Sequence, residues 1–324
     1  MLRILTALLL AFVIQGAGAN AQTYPSRPIT MIVPFAAGGP ADTLARILAE
    51  PMKRYLNQTI VVEDVPGAAG VAGVGRVARA APDGYTIGIG HLGTNVFNGA
   101  VYNLQFDLVT DLEPIAYLTS NAYMITAKPG IPAKTIPELI DWLKANPDQA
   151  TVGTAGLGSI GHLATVDFEN RTGVSLRIVP YRGGAPAFND LVAGNISLLM
   201  DLPTESTLAI ASNAKLQQYA IMAPERLPAA PDVPTVDEVG LKGLYVAAWY
   251  GLWAPKGTPK DIIAKLNAAA KDALADPEFH KRMQAQSAIF PTPEQQSPEW
   301  LGEFQRKEIA KWWPLIKSAN IKVQ

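Results

Sequence analysis

Few side chains in this chain could run a reaction. It has no cysteine, and its three histidines, His91, His162 and His280, are widely spaced. No metal-ligand set can be assembled from them. Gly156-Leu157-Gly158-Ser159-Ile160-Gly161 spells G-x-G-x-x-G after an apolar strand and into a helical pattern. A dinucleotide site also needs an acid about twenty residues on, to hold the ribose. Here the next strand, Leu176 to Pro180, ends in Tyr181 and Arg182 instead. Ser159 lacks the glycine two residues earlier that a nucleophile elbow requires, because that position is Leu157. Asp42 reads as a cap for a helix from Thr43 rather than a catalytic acid. Arg182 and Asp201 stand at strand ends, where they could form a structural pair or line a cleft. With no nucleophile–base pair, the sequence points to no enzyme and no cofactor. What these residues can do is bind.

The candidate binding element is ITMIVPFAAGGPADTLAR, which ends at Arg46, although loops of this shape also occur as ordinary βα turns with no ligand. Ile29 to Val33 is a short β-branched run of the kind buried in a parallel sheet. Pro34, Gly38, Gly39 and Pro40 break it. Leu44, Ile47, Leu48 and Met52 then fall three or four apart, a helical stripe. Strand–turn–helix recurs at ATVGTAGLGSIGHLATVDF, with the helix expected from about Ser159. At such junctions the first helical amides have no internal acceptor and the helix dipole adds positive charge, so an anion fits without a basic side chain. Glycine lets it approach, and Gly158→Val is therefore expected to weaken binding with little loss of folding. Two such turns facing each other would grip a small dianion. Four or five charge-assisted hydrogen bonds could leave about 8 kcal/mol, the micromolar range.

Other strands are expected at Thr59–Glu63, Tyr85–Gly90, Ile115–Thr126, Ile196–Met200, Leu216–Met222 and Val246–Ala254. Polar Thr94 and Asn95 follow the third strand, where open α/β sheets collect ligands. Thr135 with Glu138 reads as a capping box. Thr258-Pro259 and Ser297-Pro298 read as the starts of two C-terminal helices. Trp300, Phe304, Trp312 and Trp313 read as core packing. The alternation is α/β, and about three hundred residues favour two lobes over one core. The boundaries fall at 22–125 with 245–324 for the first lobe and 126–244 for the second.

Residues 1–21 read as a signal peptide: Arg3, an apolar core from Ile4 to Ile14, and small residues at Ala19 and Ala21. With 27 basic against 28 acidic residues the chain lacks the basic surface that a nucleic-acid partner needs.

YPSRPITMIVPFAAGGPADTLAR, PGAAGVAG, GTAGLGSIGHLA, VPYRGGAPAFNDLVAG and WYGLWAPKGTP, in that order, resemble the Bug family, the extracytoplasmic solute receptors of tripartite tricarboxylate transporters. The resemblance implies a type II periplasmic-binding-protein fold: two Rossmann-like lobes closing like a Venus flytrap on a ligand in the interlobe cleft. It implies a monomeric periplasmic receptor that passes a small carboxylate, a dicarboxylate above all, to the transporter's membrane subunits. A receptor for a signalling partner is the alternative, and an exported enzyme on the same fold a distant third. Carried over, the first turn of the pincer falls on Phe35, Ala36, Ala37, Gly38, Gly39 and Asp42. The second falls on Thr154, Ala155, Gly156, Gly158, Ser159 and His162. Thr94 and Asn95 match the family's polar strand end, and Tyr181 and Asp201 its distal contacts. Leu202-Pro203 departs from the asparagine that often follows the aspartate, which leaves the distal preference open among an amino group, a hydroxyl and a water-bridged carboxylate.

Overall fold

A computed structural model describes residues 24–181, 183–203 and 205–318. The first strand, β1 (Ile29–Val33), is almost wholly buried, as its β-branched composition requires. It leads through the glycine turn to α1 (Pro40–Leu56), then β2 (Ile60–Asp64), α2 (Val71–Ala78) and β3 (Thr86–His91). A wide π-turn at Gly93–Phe97 runs into the single turn α3 (Asn98–Val101). The expected extended run at Ile115–Thr126 is two strands, β4 (Leu112–Ala122) and β5 (Met124–Ala127).

The middle of the chain gives α4 (Ile136–Ala145), β6 (Thr151–Thr154), α5 (Ile160–Thr172), β7 (Arg177–Pro180), α6 (Gly184–Val192), β8 (Leu198–Asp201), α7 (Glu205–Asn213) and β9 (Gln217–Ile221). It closes with β10 (Ala247–Pro255), α8 (Lys260–Ala275), α9 (Pro277–Gln284) and α10 (Pro298–Ser318).

Two five-stranded sheets result, ordered β2-β1-β3-β10-β4 and β7-β6-β8-β5-β9. Each has three parallel strands followed by one antiparallel strand, β10 in the first and β5 in the second. The chain passes between sheets at Tyr123 and returns after Met222. There the two crossings are bonded together: Tyr123 N–H donates to Val246 O (2.9 Å), Met222 N–H to Tyr123 O (2.8 Å) and Val246 N–H to Met222 O (2.9 Å).

The start of α8 differs from expectation. Pro259 is its N-cap, and the Thr258 hydroxyl donates backward to Pro255 O (2.8 Å). Thr135 does cap α4, accepting from Glu138 N–H, and Ser297 accepts from Trp300 N–H (3.3 Å) at the start of α10. Trp312 is fully buried on α10, with Trp300, Phe304 and Trp313 packed against the same core. Among the described residues no helix is long and apolar enough to cross a membrane.

Candidate functional site

Both glycine turns lie at the carboxyl ends of parallel strands, and both are built the same way. After β1 the chain turns through Gly38, at φ +82°, into α1, whose N-cap is Gly39 and whose first residue is Pro40. Thr43 N–H donates to Gly39 O (2.9 Å) as the first bond of the helix. The amides of Ala41 and Asp42 therefore have no helical acceptor. Asp42 does not cap a helix from Thr43. It is the third helical residue, buried, and its Oδ2 accepts from Gly38 N–H (2.7 Å). Its Oδ1 faces Arg46 Nε at 2.6 Å, and the same guanidinium reaches Asp64 at 2.9 Å.

The second turn repeats this. Ser159 is the N-cap of α5, its hydroxyl accepting from His162 N–H (3.3 Å) and its carbonyl from Leu163 N–H (3.1 Å). Gly158, at φ +77°, donates its N–H to His162 Nδ1 (2.8 Å). So Gly158–His162 mirrors Gly38–Asp42, a glycine amide held by the side chain four residues on. Thr154 is buried beneath the turn and donates to Gly156 O (3.3 Å). Burial pushes the His162 imidazole below its ordinary pKa. Since Nδ1 accepts, the neutral ring carries its proton on Nε2. Gly38 and Gly158 thus shape their turns, and the first helical amides without a helical acceptor are those of Ala41, Asp42, Ile160 and Gly161.

Between the turns lies a cleft of about 390 Å³. Phe35, His91, Asn98 and Tyr102 line it from the first sheet's side, Ala155, Gly158 and Ser159 from the second's, and Tyr123 of the crossing lies between. Ala36, Ala37 and Gly38 are exposed on their turn. Thr94 and Asn95 do not face the cleft with their side chains; both are 1% exposed. The π-turn rotates them inward, where Thr94 Oγ1 accepts from His91 N–H (2.9 Å) and donates to Asn95 Oδ1 (2.8 Å). His91 occupies the wall instead, and periodicity alone could not find it, because a strand's last residue can face either way. Tyr181 is also turned away, donating its hydroxyl to Asp190 Oδ2 (2.6 Å).

A second chamber, about 460 Å³, adjoins Pro40 of the first turn and holds Met124, Gly184 and Asp201. The Asp201 carboxylate is pushed up by burial and accepts from Leu202 N–H (2.8 Å). Its Oδ2 packs so closely on the start of α6 that a Cβ on Gly184 would lie 2.3 Å away. Arg182 lies outside the described residues. A larger chamber, about 820 Å³, sits between residues 222–229 and 284–295 and touches neither glycine turn. The 390 Å³ cleft is the candidate site, because there Phe35 of the first turn, the second turn with its helix start and several polar side chains converge from different sheets. Among the described residues no cluster of three or more His, Asp or Glu could hold a metal.

Two α/β lobes, each with a glycine turn at its strand ends, joined by a double crossover and facing across a cleft, make a periplasmic binding protein. Comparison with known proteins identifies which kind. Residues 44–321 match the tripartite tricarboxylate transporter family receptor, and the chain belongs to that family. It is 35% identical over 318 residues to the Agrobacterium vitis UPF0065 protein of the TAR-I ttuE-ttuC' intergenic region, covering 98% of this chain and 92% of the relative. Among solved structures it resembles the periplasmic binding protein BugD (39% identity, TM-score 0.74, covering 93% of this chain and 100% of that one). It also resembles MatC of Rhodopseudomonas palustris with bound malate (37%, 0.74, 90% and 100%). A third likeness is R. palustris Rpa4515 with adipate (30%, 0.76, 92% and 99%). The chain is thus a periplasmic solute-binding receptor of the Bug type, a family of receptors rather than enzymes.

Proposed function

We propose that this receptor captures a small dicarboxylate between its lobes and delivers it to the membrane subunits of a tripartite tricarboxylate transporter. The exported chain would lose residues 1–21 and act in the periplasm as a monomer. Its lobes are read as 22–125 with 245–324, and 126–244, the crossings meeting where Tyr123, Met222 and Val246 are bonded together. The observation that carries this reading is the pair of matched glycine turns, one per sheet, with Phe35 of the first and Ala155, Gly158 and Ser159 of the second lining one cleft. One carboxylate at the Ile160–Gly161 amides and another toward Ala41–Asp42 would engage both lobes, and only a ligand touching both favours closure. Malate in MatC and adipate in Rpa4515 are dianions of this class.

A thermal-shift and calorimetric series tests it with succinate, malate and adipate against acetate, putrescine and glucose. A dicarboxylate at a hundred times its Kd should add about 2.7 kcal/mol of stability. Shifts confined to putrescine or glucose would refute the reading. Co-purification of the ligand-loaded receptor with the transporter's membrane subunits tests the delivery step.

A further inference from the structure

We infer that His91 is a specificity-determining residue of the cleft, a neutral Nε2–H donor that selects a ligand oxygen over a ligand ammonium on the first lobe's side. This rests on the carboxylate-receptor reading.

The argument starts from how the ring is held. His91 Nδ1 accepts from Thr94 N–H (3.1 Å), so the ring proton of the neutral form must sit on Nε2. The backbone of the same residue is fixed by Thr94 Oγ1, which accepts from His91 N–H. Thr94 is in turn tied to Asn95, whose carbonyl accepts from Gln305 Nε2 (2.8 Å) on α10. The ring lies between Phe35 (centroids 4.8 Å apart) and Tyr250 (5.8 Å). Gly93 admits it, since a Cβ there would lie 2.6 Å from His91 Cε1. Thr94, Asn95 and Gly93 are therefore positioning residues for the imidazole.

One nitrogen is thus consumed inside the protein. The other has no acceptor among the described residues, and the ring lines the cleft. Among the described residues the ring makes no ion pair, and it packs on Phe35, Tyr250 and Gly93. Burial holds its pKa down to about 4, so the ring stays uncharged at neutral pH. An uncharged donor with no spare acceptor can satisfy a carboxylate, carbonyl or hydroxyl oxygen. It offers nothing to an ammonium group.

Calorimetry with succinate and with putrescine on wild type, His91→Leu and His91→Gln tests this. Leucine should weaken succinate roughly 10- to 150-fold, the range of a lost hydrogen bond to a charged group, while glutamine, a neutral donor, restores most of it. Neither variant should bind putrescine more weakly than wild type does. Wild-type succinate affinity should stay flat from pH 8 to pH 6, and ¹⁵N spectra should report the neutral Nε2–H tautomer in the ligand-free protein. Succinate affinity unchanged in His91→Leu overturns the inference. So does an affinity that rises as pH falls through 6.5 in wild type but not in His91→Gln, or an Nδ1–H tautomer. A wild type that binds no dicarboxylate at all refutes the receptor reading itself, a result visible before any variant is made.

Discussion

Acid should loosen this protein through His91, and the amount can be worked out. In the unfolded chain a histidine titrates near its ordinary value of 6.5, while in the folded protein burial holds His91 to about 4. A lowered histidine pKa means that the unfolded state binds the proton first. The stability it contributes is complete above pH 6.5 and is lost as pH falls from 6.5 towards 4. At about 1.4 kcal/mol per pKa unit, the full loss is roughly 3 kcal/mol. Carboxylates held low by hydrogen bonds, such as Asp107 beside Thr110 and Val109, and Asp276 beside Phe279 and Glu278, add to acid loss in the same direction. Asp201 and Glu169, raised by burial, work against it. The difference between wild type and His91→Gln cancels those shared contributions. Urea unfolding at pH 7, 6, 5 and 4 should find wild type the more stable at pH 7. Its advantage should shrink by roughly 3 kcal/mol at pH 4. Parallel stability curves for the two proteins would show that the imidazole is not buried as described.

Three further outcomes are expected. Gly161→Ala should destabilise by roughly 1–3 kcal/mol in urea unfolding, although alanine favours helices, because its Cβ would lie 2.6 Å from the Met200 carbonyl oxygen on β8; a gain in stability would contradict this packing. Asp201→Asn should tighten succinate roughly tenfold in calorimetry, since two like charges about 8–16 Å apart at an effective dielectric near 20 repel by about 1–2 kcal/mol. Weaker binding would mean that Asp201 accepts from a donor on the ligand. Gly39→Ala should weaken succinate severalfold while leaving the melting temperature within about 3 °C, because Gly39 sits at φ −79° and a Cβ there meets only the Ala36 carbonyl oxygen at 3.5 Å. Gly158→Val is the poorer probe, because at φ +77° a β-branched residue strains the turn and folding suffers with binding.

The elements that one period specifies were readable from the chain. β1 follows from four apolar residues and one threonine between prolines, and α1 from the stripe at Leu44, Ile47, Leu48 and Met52, all four buried. What could not be read were side-chain directions at element ends. Asp42 was expected before its helix and lies inside it, because proline is favoured at the first helical position and draws the start back to Pro40. Thr94 and Asn95 were expected in the cleft. A π-turn widens the backbone there and turns them inward, which hands the cleft wall to His91. The crossing between lobes was expected at 125/126, but the break between β4 and β5 at Tyr123 could not be read, since they form one extended run and only the sheets they join tell them apart.

The two turns share a backbone but not an electrostatic setting, and this gives the cleft a polarity. Behind the first turn stand two carboxylates, Asp42 and Asp64, with one guanidinium, Arg46, between them. Burial and the neighbouring Asp42 push Asp64 upward, as expected where negative charge is crowded. Behind the second turn stands a neutral imidazole, His162, doing the same structural work without charge. On the proposed reading, an incoming carboxylate would therefore be drawn more strongly to Ile160 and Gly161 than to Ala41 and Asp42. On the first lobe, where Asp42 in the first helical turn partly cancels the helix start, the uncharged donor His91 would offset the deficit. His162→Asp would make the two turns alike. It keeps an acceptor at the position of Nδ1 but places a negative charge beneath the second turn, so succinate should bind more weakly by roughly tenfold or more. His162→Asn, a neutral acceptor, should stay close to wild type. Equal losses in the two variants would mean that His162 matters for shape alone and that this polarity plays no part in capture.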